Sequence, residues 1–329
     1  MAVAGFIAMC KSQWGPIPYP EKSFKDQIVI VTGANIGLGL EGARHFARLG
    51  AAKVILACRS LPKGEAAALD IETSLNLKNV VEVWQVDLSS WSSVQEFTKK
   101  AEGLERLDVV CENAAIAREY YTTLEGWESG VATNVIGTFL MALNLLPILR
   151  KSGKKTGVVP RLVVVSSGMH AWTPLEERKE DSIFEALNKD DPAYMKDRYS
   201  TTKLLEILFV RSLARELDAG PHKDEKVIVS TLDPGLCHSG LAREISGWMG
   251  WCMYFFKLLF ARTTEVGGRT LVISAVKGEE AQGEYVSDGR VAETSEFVRS
   301  EEGKRTQGRV YGELMGILEG IQPGIGKNV

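Results

Sequence analysis

Short apolar runs rich in valine and isoleucine recur along the chain and predict β-strands. Their hydrophobic character is nearly continuous rather than alternating, which is typical of parallel strands that are covered on both faces. The predicted strands are residues 28–32, 53–58, 81–86, 107–111, 161–167 and 226–232.

Segments with the spacing of amphipathic helices lie between these strands. The predicted helices are residues 38–49, 61–75, 93–102, 126–151 and 199–218. Gly50, Gly153 and the pair Gly220-Pro221 supply helix stops. This regular alternation predicts an α/β protein with a Rossmann-like, doubly wound parallel sheet in a single domain.

Two segments interrupt the alternation. Residues 174–198 include a run, from Glu176 to Asp181, in which every residue is charged, and this run predicts a solvated insertion between a strand and a helix. Residues 248–260 are almost entirely apolar but too few to cross a bilayer. A core helix and a helix lying on a membrane surface both remain open for the second segment.

The overall composition narrows the partners of the chain. It has 329 residues, of which 45% are hydrophobic and 25% charged, and its formal net charge is −3. Such a chain has no positive field for gathering nucleic acid, and no segment has the roughly 20 apolar residues of a membrane span. The five cysteines form no C-x-x-C pair, which predicts reduced, mostly buried thiols and a cytoplasmic location.

A glycine-rich turn follows the first predicted strand and opens the first predicted helix. Gly33, Gly37 and Gly39 are spaced G-x-x-x-G-x-G, with Asn35 and Ile36 between the first two. Such a turn lets backbone N–H groups approach a pyrophosphate, which then lies at the positive end of the helix. The spacing differs from G-x-G-x-x-G, so a tight turn without a ligand is the alternative, but the position favours a dinucleotide site.

The residue after the second predicted strand bears on which dinucleotide would bind. Folds of this kind that select NAD carry an acidic residue there. This chain has Arg59 instead, and Lys63 follows one helical turn later. A guanidinium pairs with a 2′-phosphate that a carboxylate would repel, so the sequence predicts NADP(H).

Tyr199 and Lys203 are four residues apart in a predicted helix, which places both on one face. A free phenol has a pKa near 10, so general acid–base work near neutrality requires stabilisation of the phenolate by about 4 kcal/mol. A neighbouring ammonium has the correct sign to supply part of it. Together with the glycine turn, the pair indicates a catalytic site next to a bound dinucleotide.

Several motifs now occur in a fixed order. They are Thr32-Gly33-x-x-x-Gly37-x-Gly39, Asp87-Leu88, Asn113-Ala114, Asn134, Ser166-Ser167, Tyr199-x-x-x-Lys203 and Pro234-Gly235. With this ordered set, the chain resembles the short-chain dehydrogenase/reductase family over about residues 25–290. Residues 57–59, 134–139 and 166–170 are most similar to the retinol-dehydrogenase-like branch and to fungal short-chain dehydrogenases of secondary metabolism.

The resemblance implies a catalytic role for four residues. Tyr199 would exchange a proton with the substrate oxygen, and Ser167 would hydrogen-bond the same oxygen. Lys203 would hold the nicotinamide ribose and lower the Tyr199 pKa, while Asn134 would support a proton-relay water.

Cofactor contacts and a domain division follow from the same resemblance. Asp87 would contact the adenine, Asn113 would line the adenosine side and Ser239 would help to hold the nicotinamide amide. An N-terminal arm, residues 1–24, would precede the NADP-binding domain, and a C-terminal extension would follow it. The domain would span residues 25–290 with a substrate lid at about 236–262, and the extension would span residues 291–329.

The sequence therefore predicts an NADP(H)-dependent oxidoreductase that interconverts a small apolar ketone or aldehyde and its alcohol, with secondary metabolism as the setting. The aromatic and methionine side chains of 248–260 favour the apolar substrate. Two alternatives are a non-catalytic dinucleotide sensor and an extended-type epimerase or dehydratase, although the latter is expected to show T-G-x-x-G-x-x-G. Homo-oligomerisation and peripheral membrane contact stay open.

Three other positions complete the sequence analysis. Glu112 and Ala115 depart from the N-N-A-G that the family has after the fourth strand, and Glu112 replaces an amide there. His170 lies three residues after Ser167, and a structural, hydrogen-bonded histidine is favoured over one that lines the pocket. The four histidines show no zinc-ligand spacing, so no metal site is predicted.

Overall fold

A central eight-stranded sheet organises the chain. The computed structural model describes residues 13–238 and 259–329. The strands are β1 Ile28–Thr32, β2 Lys53–Cys58, β3 Val81–Gln85, β4 Val109–Glu112, β5 Thr123–Leu124, β6 Trp127–Glu128, β7 Arg161–Val165, β8 Ile228–Asp233, β9 Tyr285–Ser287 and β10 Arg290–Ala292. The main sheet has the order β3-β2-β1-β4-β7-β8-β9-β10, and β5 pairs with β6 in a separate hairpin.

Helices connect the strands and flank the sheet. They are α1 Gly37–Arg48, α2 Leu61–Leu75, α3 Trp91–Ala101, α4 Thr138–Thr156, α5 Ile183–Leu187, α6 Pro192–Met195, α7 Arg198–Ala219, α8 Thr264–Ala275, α9 Glu296–Arg299 and α10 Glu301–Ile321. A π-helical turn, Val131–Gly137, leads directly into α4, and short 3₁₀ turns cover Gly168–Trp172, Glu176–Lys179, Glu279–Ala281 and Ile325–Asn328.

The sheet is parallel except at one edge, and it is buried on both faces. Every pairing from β3 to β9 is parallel, and only β10 runs antiparallel to its neighbour. Successive residues of each strand point to opposite faces, so Val29 and Val31 belong to the core layer that includes α1, α2 and α8, while Ile30 belongs to the layer that includes α3, α4, α7 and α10. This arrangement confirms the predicted doubly wound, single-domain α/β fold.

The strand order reverses between β1 and β4, and this reversal determines where a ligand can enter. From β1 the chain proceeds outward through β2 and β3, and it then returns to β4 on the other side. Helices diverge from the carboxyl ends of strands at such a reversal, which leaves a crevice there. The glycine turn after β1 and Asn113 after β4 both lie at this edge.

The start of the fourth predicted helix was wrong. Residues 123–128 form the β5–β6 hairpin instead, with Glu125 and Gly126 at positive φ in its turn. The helical segment begins directly after the hairpin, at Ser129, where the Glu128 carboxylate accepts hydrogen bonds from the Gly130 and Val131 N–H groups, at 2.8 and 3.0 Å. Local capping by this side chain therefore marks the boundary, which the apolar periodicity does not reveal.

The predicted insertion of residues 174–198 lies between β7 and α7, with Lys179, Glu180 and Asp181 exposed, but the prediction that it is solvated was wrong for helix α5 and Glu177. The α5 side chains Ile183, Phe184 and Leu187 belong to the main hydrophobic core. Glu177, within the charged run, is 2% exposed because its carboxylate pairs with the buried Arg198 at 3.1 Å. Buried charges of this kind require a partner, and the partner lies 21 residues away in sequence.

The C-terminal extension is part of the core. On α10, Val310, Leu314 and Leu318 recur at intervals of four and are fully buried against α7 and its neighbours. Their four-residue spacing is a helix signal that is already present in the sequence. The arm is likewise packed where it is described, since Phe24 meets Phe46 of α1 edge to face at 4.8 Å.

The most apolar helix lies inside the domain. Val131–Thr156 is long and apolar enough to cross a membrane, yet 89% of its most apolar 18-residue stretch is buried by the surrounding protein. It is therefore a core helix in this fold. The described cysteines Cys58, Cys111 and Cys237 are buried, as predicted, whereas Cys10 and Cys252 lie outside the described residues.

Candidate active site

The glycine turn presents bare backbone to the crevice. Gly33 and Gly37 both have φ of +65°, a conformation that favours glycine. A Cβ at Gly37 would meet no heavy atom of the described residues within 4 Å. Helix α1 begins there without a side-chain cap and without an acidic residue in its first turn, so its N–H groups are available to an anion.

Gly39 is required for a different reason. A Cβ on this residue would lie 2.6 Å from Asn113 Nδ2 and 2.7 Å from the Gly33 carbonyl oxygen. Asn113 in turn donates from Nδ2 to the Thr32 carbonyl oxygen at 2.8 Å, and its N–H donates to the Thr32 hydroxyl. Asn113 thus fastens the end of β4 to the start of the turn, and Gly39 leaves it room.

The three predicted residues on the adenosine side occupy the same end of the sheet. Arg59 and Lys63 are exposed, at the end of β2 and in the first turn of α2. Asp87 follows β3, and its Oδ1 accepts hydrogen bonds from the N–H and hydroxyl of Ser89, at 3.0 and 2.6 Å. The end of β2, which Arg59 follows, pairs with the end of β1, which the glycine turn follows.

Ser167 and Tyr199 come together although 31 residues separate them in the sequence. Strand β7 ends at Val165, so both serines of the predicted strand end lie beyond it. The Ser167 hydroxyl lies close enough to the Tyr199 phenol to lower the pKa of that phenol. The same hydroxyl oxygen accepts the Met169 N–H at 3.1 Å, which fixes its direction.

Lys203 lies one helical turn after Tyr199, with its ammonium nitrogen 5.7 Å from the centre of the phenol ring. The side chain is buried, and its ammonium donates to the Val165 carbonyl oxygen at 2.8 Å. A second donation, also at 2.8 Å, goes to the Glu206 carboxylate. Glu206 was not identified from the sequence, although a carboxylate three residues after Lys203 was a visible signal.

Asn134 is fully buried in the π-helical turn, where its side chain is fixed by three hydrogen bonds. Its Oδ1 accepts the Ile116 N–H at 2.8 Å, and its Nδ2 donates to the Ile116 carbonyl oxygen and to the Thr202 hydroxyl. Asn134 therefore ties the loop after β4 to helix α7 next to Lys203.

The charges around Tyr199 act against its ionisation. Burial raises the Tyr199 pKa above its ordinary 10.0, the charges of Glu206 and Asp233 act in the same direction, and the Ser167 hydroxyl lowers it. Lys203, which is expected to lower this pKa, has its ammonium paired with the Glu206 carboxylate at 2.8 Å. The phenol is consequently held in its protonated form, ready to donate.

His170 has a structural role, as favoured from the sequence. Its Nε2 accepts the Ser295 N–H at 3.0 Å, so the proton on Nδ1 is donated to the Ser167 carbonyl oxygen at 2.8 Å. Burial lowers the pKa of His170 and keeps the ring neutral. The ring also contacts the Tyr285 ring edge to face. The Tyr285 hydroxyl in turn donates to the Asp233 carboxylate at 3.1 Å. Asp233 and Tyr285 were missed, since only the fold brings β8 and β9 to this edge.

A buried ion cluster holds the start of α7. Arg198 precedes Tyr199 and is 2% exposed. Its guanidinium lies 3.1 Å from Glu177 and 3.8 Å from Glu128, the residue that caps the π-helical turn. Arg198 therefore connects the elements that carry Asn134 and Tyr199. Its position was invisible in the sequence because both partners are distant.

Glu112 is unusual in its hydrogen bonding for a buried polar residue. It is 2% exposed at the end of β4, and neither carboxyl oxygen has a hydrogen-bond partner of normal geometry within the described chain. Burial raises the pKa of Glu112 to about 8, and the approach of the Thr32 hydroxyl offsets only part of that rise. The carboxyl is therefore neutral at pH 7.

Two predicted features lie outside the described residues. They are Ser239 and most of the apolar run 248–260, together with the corresponding part of the lid. At the end of that run, Phe260 stacks on Trp14 of the N-terminal arm at 5.4 Å. Within residues 13–238 and 259–329, no group of three His, Cys, Asp or Glu side chains is arranged to hold a metal ion.

Comparison with known proteins gives a consistent family assignment. The family model described as short chain dehydrogenase matches residues 27–172. Short-chain dehydrogenase anuD of Penicillium roqueforti is 41% identical over 94% of this chain and 82% of its own length. Short chain dehydrogenase FGM9 of Gibberella zeae is 39% identical over 99% of this chain and 95% of its own.

The fold has also been seen in solved structures. The Pseudomonas aeruginosa RhlG/NADP active-site complex superposes with a TM-score of 0.60 at 22% identity, covering 82% of this chain and 97% of that one. At this identity the likeness concerns the fold.

Proposed function

The chain belongs to the short-chain dehydrogenase/reductase family of oxidoreductases, and on that premise we propose that it is an NADP(H)-dependent reductase of small apolar ketones or aldehydes. The convergence of Ser167, Tyr199 and Lys203 at the carboxyl edge of the sheet is the observation that carries this proposal. The fungal relatives favour a setting in secondary-metabolite synthesis.

The residues of the crevice fit a dinucleotide. Gly37 leaves open space where a pyrophosphate requires close approach, and the N–H groups at the start of α1 point to the same place. Arg59 and Lys63 are exposed beside it and would hold a 2′-phosphate. Asp87 and Asn113 would line the adenosine side, and the RhlG complex contains NADP on the same fold.

NADPH, when bound, supplies the hydride for the carbonyl carbon. Tyr199 donates its proton to the substrate oxygen, and burial keeps that proton in place until it is needed. Ser167 orients the oxygen through a hydrogen bond, and Lys203 holds the ribose and attracts the phenolate that remains. Asn134 keeps α7 in register with the loop after β4 and supports a relay water.

The substrate is proposed to be apolar because of side chains next to Ser167. Met169 is 40% exposed and Trp172 is 59% exposed, both in the short turn that follows this serine. Large apolar groups of this kind contribute binding energy when a ligand covers them.

Replacement of Tyr199 by Phe tests the proposal. Binding of NADPH to the full-length chain is measured first, by the change in NADPH fluorescence. Turnover is then measured with a series of ketones of increasing apolar area. We expect Tyr199→Phe to bind NADPH within about threefold of the unaltered chain and to lose at least about 100-fold in kcat. Tyr311→Phe, half-buried on α10, is the matched control.

Three outcomes would contradict parts of the proposal. An active Tyr199→Phe variant would remove the tyrosine from the mechanism. NADPH binding without turnover of any ketone or alcohol would favour the dinucleotide sensor. Absence of NADPH binding to the unaltered chain would overturn the cofactor assignment.

A further inference from the structure

The Lys203 ammonium is shared between two acceptors inside the protein. Its side chain is 3% exposed, and that of Glu206 is 2% exposed. The ammonium donates to Glu206 Oε1 and to the Val165 carbonyl oxygen, each at 2.8 Å. Two of its three N–H donors are thus assigned by the protein, which leaves one for a ligand.

The Lys203–Glu206 ion pair is not expected to contribute much to the free energy of unfolding. Removing both charges from water is expensive, and apolar residues of similar size are often equally stabilising or better. The second carboxyl oxygen of Glu206 has no hydrogen-bond partner in the described part of the chain. Burial raises the pKa of Glu206 to about 7, and the attraction of Lys203 limits that rise. The main effect of the ion pair is therefore on the position of the Lys203 ammonium.

The geometry shows what that effect is. A lysine side chain has four rotatable bonds, so an unpaired ammonium in this crevice would sample several positions. The carboxylate, one helical turn beyond Lys203, and the end of β7 together hold the ammonium within 5.7 Å of the Tyr199 ring. A charge-assisted hydrogen bond is shorter and stronger than a neutral one and defines the position accordingly.

We propose that Glu206 is a positioning residue, whose carboxylate fixes the Lys203 ammonium so that its remaining N–H is presented to the cofactor ribose. This proposal rests on the proposed function, because it assigns Glu206 a role in holding the dinucleotide through Lys203. It requires the negative charge of the side chain and not its shape alone.

Two substitutions separate charge from shape. Glu206→Gln keeps the size of the side chain and a carbonyl acceptor but removes the charge, whereas Glu206→Asp keeps the charge on a shorter stem. The dissociation constant of NADPH is measured by fluorescence with the full chain at pH 8, where the carboxylate is ionised. Thermal unfolding of each variant is recorded in parallel, and Glu216→Gln, an exposed carboxyl on the same helix, is the control.

We expect Glu206→Gln to weaken NADPH binding at least about tenfold and Glu206→Asp to remain within about threefold of the unaltered chain. A purely structural role would give the opposite order, because glutamine fills the site and aspartate leaves a cavity. NADPH binding by Glu206→Gln at the unaltered affinity would overturn the proposal. Should that variant not fold, a folded Glu206→Asp chain that binds more than tenfold more weakly would overturn it.

The failure of this inference is distinguishable from that of the proposed function. If the unaltered chain does not bind NADPH, the proposed function is wrong. If the unaltered chain binds NADPH and only the two Glu206 variants behave contrary to expectation, the inference alone is wrong.

Discussion

The buried Glu112 carboxyl gives the fold a pH dependence that a single substitution should remove. Its pKa is about 8 in the folded chain, against an ordinary value of 4.5. Between these two values the folded chain holds a proton that the unfolded chain has released, so stability falls as the pH rises through this window. Glutamine has nearly the same shape and cannot ionise, so Glu112→Gln should be free of this loss.

The magnitude follows from the same window. One proton held by the folded state and not by the unfolded state changes the unfolding free energy by about 1.4 kcal/mol for each pH unit. From pH 5 to pH 8 the unaltered chain should lose about 3.5 kcal/mol relative to Glu112→Gln, because the group is only partly titrated at each end of this range. The comparison between pH values cancels the cost of burying the amide itself, which is the same at each pH.

Urea unfolding at pH 5, 6.5 and 8, with reversibility checked by refolding, measures this difference. Glu65→Gln, which alters an exposed carboxyl on α2, serves as the control and should leave stability unchanged at every pH. A difference between Glu112→Gln and the unaltered chain that stays constant from pH 5 to pH 8 would refute the reasoning, since Glu112 would then be ionised in the folded protein.

Two further substitutions test other parts of the structure. Arg198→Met should lower the unfolding free energy by about 3–5 kcal/mol, because Glu128 and Glu177 would remain buried without their cation; adding Glu177→Gln should restore part of it. A loss below about 1 kcal/mol in urea unfolding would contradict this. Arg59→Asp should weaken NADPH binding at least about tenfold in a fluorescence titration and leave NADH binding nearly unchanged. Equal effects on both cofactors would remove Arg59 from the 2′-phosphate site.

Much of the sheet could be predicted because its strands are locally encoded. The apolar runs at β1, β2 and β7 are buried on both faces, so their composition alone marks them as parallel strands. Strand β10 and the β5–β6 hairpin are only two or three residues long and carry little such signal. Helix α10 had a usable pattern in Val310, Leu314 and Leu318.

The residues of the candidate site also differ in whether local sequence was sufficient to predict them. Tyr199 and Lys203 are neighbours on one helix, and the glycine turn is a continuous segment, so local spacing was sufficient to propose them. The buried role of Glu177 was missed because its partner, Arg198, is distant in sequence, and a charged run without partners is normally solvated.

The sequence by itself determined the six longest parallel strands, the glycine turn and the residue types of the proposed chemistry, because each depends on residues within one or two helical turns. The tertiary structure decided which of these residues meet and in what charge state. It brought Ser167 to Tyr199, buried Glu206 together with Lys203 and left Glu112 without a hydrogen-bond partner among the described residues. Burial and long-range pairing set the pKa of an ionisable group, and both exist only after the chain has folded.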